Sequence, residues 1–123
     1  MSPIATMPTN TLMKPNDQFQ NCIDICTKCA QICEECFALC LQEPDANARM
    51  NCIKTLIDCA QICSLAACYM SRRSINAQLI CDTCATICEK CASECSMFKD
   101  EHCNICAETC RQCATECRRM AEM

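Results

Sequence analysis

Cysteine recurs in this chain at steps of three and four residues, in four separate stretches. The first stretch carries Cys22, Cys26, Cys29, Cys33, Cys36 and Cys40, stepping 4, 3, 4, 3, 4. At about 100° per residue, all six side chains fall within roughly ±40° of one line along a helix. Asp24, Lys28, Gln31 and Glu35 fall on the opposite side, and Ile25, Ile32 and Leu39 form an apolar flank. The result is an amphipathic helix with thiols where a bundle normally carries leucine. The second stretch aligns Cys52, Cys59 and Cys63, with Leu56 taking a stripe position among them. Cys68 lies about 160° from Cys52 on the helical wheel and points away. The third stretch, Cys81, Cys84, Cys88, Cys91 and Cys95, and the fourth, Cys103, Cys106, Cys110, Cys113 and Cys117, both step 3, 4, 3, 4.

Breaks and caps divide these stretches into four helices. Glu43-Pro44-Asp45 ends the first helix and caps the second, because proline cannot continue a helix but opens one well. Ser74 is placed to cap the third, and Asp100 the fourth. Glu101 suits the first turn of that last helix, and Arg118 and Arg119 its final turn. Asn16 or Asp17 offers a cap for the first helix. Residues 1–15, with Pro3, Pro8 and Pro15 among Ser, Thr and Asn, read as a flexible tail. Residues 16–123 then form one domain, an all-α, antiparallel up-down-up-down four-helix bundle with a Cys-lined core. The heptad-like spacing adds a slight left-handed supercoil. The run Cys81-Asp-Thr-Cys84-Ala-Thr-Ile-Cys88-Glu-Lys-Cys91 repeats the pattern of Cys26-Thr-Lys-Cys29-Ala-Gln-Ile-Cys33-Glu-Glu-Cys36, as four similar walls require.

Twenty cysteines in 123 residues point to either a disulfide scaffold or a metal site. The scaffold reading expects a secreted, loop-rich chain with glycine in its turns, and this chain has no glycine. The first twenty residues lack a basic segment followed by an apolar run, so no export signal is read there. No stretch reads as a membrane span. The expectation is a cytoplasmic protein whose thiols stay reduced. A formal charge of −4 argues against nucleic acid and anionic membrane surfaces as partners. One histidine and no evident acid–base pair argue against an enzyme.

The spacing itself favours metal over disulfides. Residues four apart on a helix hold their Cβ atoms about 5–6 Å apart, too far for the roughly 3.5–4.5 Å of a disulfide. Two sulfurs about a linear metal stand about 4–4.5 Å apart, a span that i and i+4 thiols reach by small rotations. Facing helices can add a third ligand. Soft thiolates select Cu(I), Zn(II) or iron–sulfur clusters. A zinc ion held by four thiolates leaves a charge of about −2, so about five such sites would bury about ten negative charges. One Cu(I) per bridging thiolate is neutral, so a dry core favours many Cu(I) ions. The helical spread of the cysteines, with no proline after any of them, disfavours iron–sulfur clusters. A zinc or general metallothionein-like sink stays open, as does a helical structural protein joined by cross-helix disulfides.

These residues resemble the bacterial copper storage proteins of the cytosolic, signal-less type, over about residues 17–120. The resemblance rests on the alternation in all four helices, the Cys-poorer second helix, and the segments Cys59-Ala-Gln-Ile-Cys63 and His102-Cys103-Asn-Ile-Cys106-Ala. It implies a homotetramer of bundles filled with Cu(I)–thiolate sites, serving storage or detoxification without turnover. It also implies that copper enters at one open end. In an up-down bundle the loops after the first and third helices share an end, which holds Cys40, Met50, Cys52, Met97, His102 and Cys103. His102 and one of these methionines are the expected transfer ligands. Cys68 departs from the family's pattern of core thiols and reads as a subunit-contact or surface residue.

Overall fold

The computed structural model describes residues 18–123. Four helices run α1 (Gln20–Leu41), α2 (Met50–Ser71), α3 (Ala77–Cys95) and α4 (Glu101–Ala121), with a short 3₁₀ turn over Ala46–Arg49 leading into α2. Each helix packs on its two neighbours, α1 on α2 and α4, and α3 on α2 and α4. The sulfurs give the register. Cys22 meets Cys117 at 3.6 Å at one end of the α1–α4 pair, and Cys40 meets Cys103 at 3.6 Å at the other. Cys52 meets Cys95 and Cys63 meets Cys84, both at 3.7 Å, across α2 and α3. Both pairings are antiparallel, so the expected up-down-up-down bundle is the observed one.

The stripes fold inward as the spacing requires. All six cysteines of α1 are buried, while Asp24, Lys28, Gln31 and Glu35 are exposed. Leu56 takes its place in the α2 stripe at 0% exposure, and with Met70 it is one of two large side chains buried completely among the described residues. Small residues (Ala60, Ala66, Ala85, Ala92, Ala107 and Ala114) fill the seams between helices. The core is thus mainly sulfur and methyl groups, which pack as small hydrophobes but bury little area per residue.

Helix ends follow the sequence in part. Asp100 caps α4 from an extended backbone, its Oδ2 accepting the Cys103 N–H at 3.3 Å. Arg118 and Arg119 lie in the last turn of α4. Arg118 also reaches α3, pairing with Asp82 at 2.7 Å and Glu89 at 2.9 Å. Such exposed pairs are screened by solvent and add little. Ser74 is not the residue flanking α3; Asn76 holds that place, and the Ser74 Oγ accepts the Asn76 N–H at 3.0 Å in a turn just before it. Asp45 likewise spends its carboxylate on the Arg49 side chain rather than on a helix N–H. The tail 1–15 and the Asn16 or Asp17 cap lie outside the described residues, and α1 opens after Phe19 without a side-chain cap. With no glycine in the chain, Arg73 takes the left-handed conformation (φ 51°) that closes α2. The Ser74 N–H then bonds the Tyr69 carbonyl and the Arg73 N–H the Met70 carbonyl.

Against the expectation that no stretch reads as a membrane span, the segment Ala46–Ser71, with an 18-residue window of mean hydropathy 1.3, is long and apolar enough to cross a membrane. Its cysteines, counted as apolar, raise that value. In the bundle Cys52, Leu56, Cys59, Cys63, Ala66 and Met70 of this segment face the other helices.

Candidate metal centre

Nineteen of the twenty cysteines are buried at no more than 1% exposure, and all twenty are free thiols. The exception is Cys68, which is exposed as its angle on α2 requires. Among the C-x-x-x-C pairs, Cys22/Cys26, Cys59/Cys63 and Cys106/Cys110 place their sulfurs 4.0 Å apart. Cys29/Cys33, Cys36/Cys40, Cys84/Cys88 and Cys113/Cys117 stand at 3.9 Å. Cys91 and Cys95 are buried on the same line. These spans are about twice a disulfide bond and match two thiolates about a linear metal.

Cross-helix distances are as short or shorter. Cys26 lies 3.6 Å from Cys113 and 3.5 Å from Cys117; Cys63 lies 3.6 Å from Cys88. Diagonal contacts close the tube, with Cys59 to Cys110 at 3.9 Å and Cys63 to Cys113 at 3.8 Å. Fourfold groups follow along the axis: Cys26, Cys84, Cys113, Cys117; then Cys29, Cys63, Cys88, Cys113; then Cys29, Cys33, Cys59, Cys110; then Cys33, Cys91, Cys106, Cys110. Within each, the sulfurs all lie within 4.8 Å of one another. Successive groups share members: Cys113 joins the first two, Cys29 the second and third, and Cys33 and Cys110 the third and fourth. Cys81 is buried near Cys22 and Cys117 at one end, and its thiol is pushed up by its contacts with Cys117 and Cys22.

Contacts among the buried thiols shift neighbours in opposite directions. Hydrogen bonding with Cys113 pushes the Cys63 thiol up. Hydrogen bonding with Cys110 pulls the Cys29 thiol down. A buried array of this kind stays close to neutral until a soft cation replaces its protons.

The end shared by the α1–α2 and α3–α4 loops is built differently. His102 Nδ1 stands 3.5 Å from the Cys36 sulfur, 4.0 Å from Cys40 and 3.7 Å from Cys103, forming one further metal-capable group with them. Its Nε2 faces two carboxylates, Glu43 at 2.9 Å and Asp100 at 2.8 Å. Carboxylates accept only, so Nε2 carries a proton, and in the neutral ring the Nδ1 lone pair is turned toward the sulfurs. This is the arrangement that orients metal-binding histidines. A cleft of about 280 Å³ between α1 and α4, lined by Ile32, Glu35, Leu39, Glu101 and Ile105, reaches Cys36 and His102. Met50 and Met97 stand at this end too, but open to solvent at 40% and 64% exposure.

Sequence reasoning missed Arg49. It is 6% exposed, with its Nε donating to Asp45 at 2.7 Å and its Nη2 lying 2.7 Å from Asp100. Its guanidinium lies over the Phe98 ring at 4.4 Å. Nη1 points at the sulfurs of Cys103, at 3.5 Å, and Cys40, at 3.7 Å. Asp100 is the main reason its charge is held more firmly than usual, against the cost of burial. Burial pushes the Asp100 carboxyl up, but Arg49 and the Cys103 contact outweigh it and hold the group down at about 2. The i, i+4 spacing of Asp45 and Arg49 was the one local signal available.

Known proteins carry the same framework. None of the curated proteins matches the chain. Among solved structures, the Cu(I)-bound copper storage protein BsCsp3 is 39% identical, with a TM-score of 0.81, covering 85% of this chain and 98% of its own. The apo form of copper storage protein 3 from Bacillus subtilis is 40% identical, with a TM-score of 0.78, covering 84% of this chain and 98% of its own. A cytosolic copper storage protein from Streptomyces lividans, with five coppers, is 34% identical at a TM-score of 0.83, covering 87% of this chain and 94% of its own. The copper storage protein family model matches residues 15–122. With the four Cys stripes in place and the match running almost end to end, the chain belongs to the copper storage protein family.

Proposed function

We propose that this protein stores many Cu(I) ions along the axis of its bundle, in the cytoplasm, without catalytic turnover. One observation carries the reading: nineteen buried sulfurs in overlapping groups, with neighbours at 3.5–4.0 Å. The ligands are Cys22, Cys26, Cys29, Cys33, Cys36, Cys40, Cys52, Cys59, Cys63, Cys81, Cys84, Cys88, Cys91, Cys95, Cys103, Cys106, Cys110, Cys113 and Cys117, with His102 at the mouth. Sharing of sulfurs favours a monovalent metal, because bridging thiolates and Cu(I) cancel in charge one for one. The cytosolic relative supports a reducing compartment. Apolar side chains left open on outer faces, Leu65, Leu79 and Ile105 among them, support assembly of bundles into a homotetramer.

An anaerobic titration with a Cu(I)–chelator complex, followed by metal analysis at saturation, tests the stoichiometry. The copper count should approach the number of core thiols. A count near one metal per four sulfurs would instead mark a zinc-type sink.

His102 is assigned to transfer rather than to capacity. His102→Ala should slow loading or unloading by roughly tenfold, since it removes the one imidazole ligand bordering the cleft. Unchanged rates in stopped-flow exchange would take this role away.

A further inference from the structure

We infer that Arg49 is a gate: its guanidinium covers the sulfurs of Cys40 and Cys103 and must swing away before copper passes between the mouth and the tube. This inference rests on the copper-storage reading. The observations are geometric. Arg49 is the one cation buried against the thiol array among the described residues, and it is held from four sides. Asp45 comes from the turn before α2, Asp100 from the cap of α4, Phe98 from the loop before it, and the two sulfurs from α1 and α4.

The cleft between α1 and α4 reaches Cys36 and His102. Copper arriving there meets two ligands of the end group directly. The other two, Cys40 and Cys103, receive N–H donors from Arg49. A guanidinium N–H occupies one lone pair on each sulfur and crowds the metal's approach to it, so Arg49 and copper compete at Cys40 and Cys103. A positive group at this position also opposes the approach of a cation. Deeper groups such as Cys33, Cys91, Cys106 and Cys110 carry no comparable cover. The clasp that holds Arg49 is ionic and partly open to solvent, with Asp45 at 49% exposure. It can therefore release without unfolding the helices.

A purely structural clasp and a gate differ in kinetics. Anaerobic stopped-flow loading from a Cu(I)–bicinchoninate complex, and removal by excess bathocuproine, should be measured on the full chain at two or more salt concentrations. Arg49→Ala should speed both directions by roughly tenfold or more, the factor that losing one charge-assisted hydrogen bond predicts for an opening step. Asp45→Asn, which loosens the clasp from its exposed side and leaves the sulfurs untouched, should give an intermediate increase. It also provides the test if Arg49→Ala does not fold by circular dichroism. Wild-type rates should rise with salt as the ion pairs weaken, and those of Arg49→Ala should lose this dependence on salt. A wild-type chain that loads copper while neither variant loads faster overturns the inference alone. So does a variant that loads at the wild-type rate and only releases copper faster, which would make Arg49 a counter-ion. A wild-type chain that takes up no copper overturns the storage reading, and the gate with it.

Discussion

Saturation with Cu(I) should raise the unfolding midpoint of this protein by at least about 20 °C. The reason lies in what the core lacks. Among the described residues, Leu56 and Met70 are its only large, completely buried side chains other than cysteine, and alanine fills most of the seams. A thiol packs as a small hydrophobe, so the metal-free bundle folds with little burial energy to spare. Each bound ion then joins sulfurs from different helices. In the group Cys33, Cys91, Cys106 and Cys110, three helices meet within 4.8 Å. A single ligand at a thousand times its dissociation constant adds about 4 kcal/mol to stability, and several independent sites multiply that figure. A domain near this size gains about 4–8 °C per kcal/mol. Anaerobic thermal unfolding followed by circular dichroism, with and without copper, is the measurement. The apo chain should still be helical at 25 °C, because the amphipathic pattern of each stretch specifies its helix without metal. A shift of only a few degrees would mean that copper sits at the surface or binds the unfolded chain nearly as well.

The walls of the tube were legible because a 3–4 step leaves only one helical face. That rule alone placed nineteen sulfurs inside and turned Cys68 out, and it gave Leu56 its core position. Asp100 was legible as a cap because its chemistry is local. The cap of α3 was misplaced by two residues, since Ser74 and Asn76 are both good turn formers and the sequence does not choose between them. Arg49 was illegible for a deeper reason. Its spacing to Asp45 is visible, but Asp100, Phe98 and Cys103 come to it only through the return of α4 beside α1. Ala46–Ser71 passes as a span by length and composition because its cysteines count as apolar, and only the bundle shows its stripe turned onto the other helices. Which sulfurs share a site also needed the fold. Periodicity sets the face a cysteine occupies; the stagger between helices decides that Cys110 meets Cys29 and Cys33.

That stagger makes Cys110→Ala and Cys68→Ala a decisive pair. The Cys110 sulfur lies 3.7 Å from Cys29, 3.8 Å from Cys33, 3.9 Å from Cys59 and 4.0 Å from Cys106, and it belongs to two of the fourfold groups. Removing it takes one bridging ligand from the middle of the array. If each thiolate bridges two ions, Cys110→Ala should lose about two copper equivalents at saturation, against none for Cys68→Ala. The loss should show in the weakest part of the titration as well, because Cys29, Cys33, Cys59 and Cys106 must then share fewer ions in poorer geometry. Stability is a smaller matter: cysteine to alanine deletes one atom from each core, a change of roughly 1 kcal/mol by the usual cost of a small cavity. A folded Cys110→Ala chain that binds the wild-type number of ions would mean that copper does not use the axis. Equal losses from both substitutions would mean that exposed and buried thiols bind copper alike, and that a place in the tube confers no preference for metal. The expected asymmetry follows from position alone, since both residues offer the same ligand atom and only one of them faces the other helices.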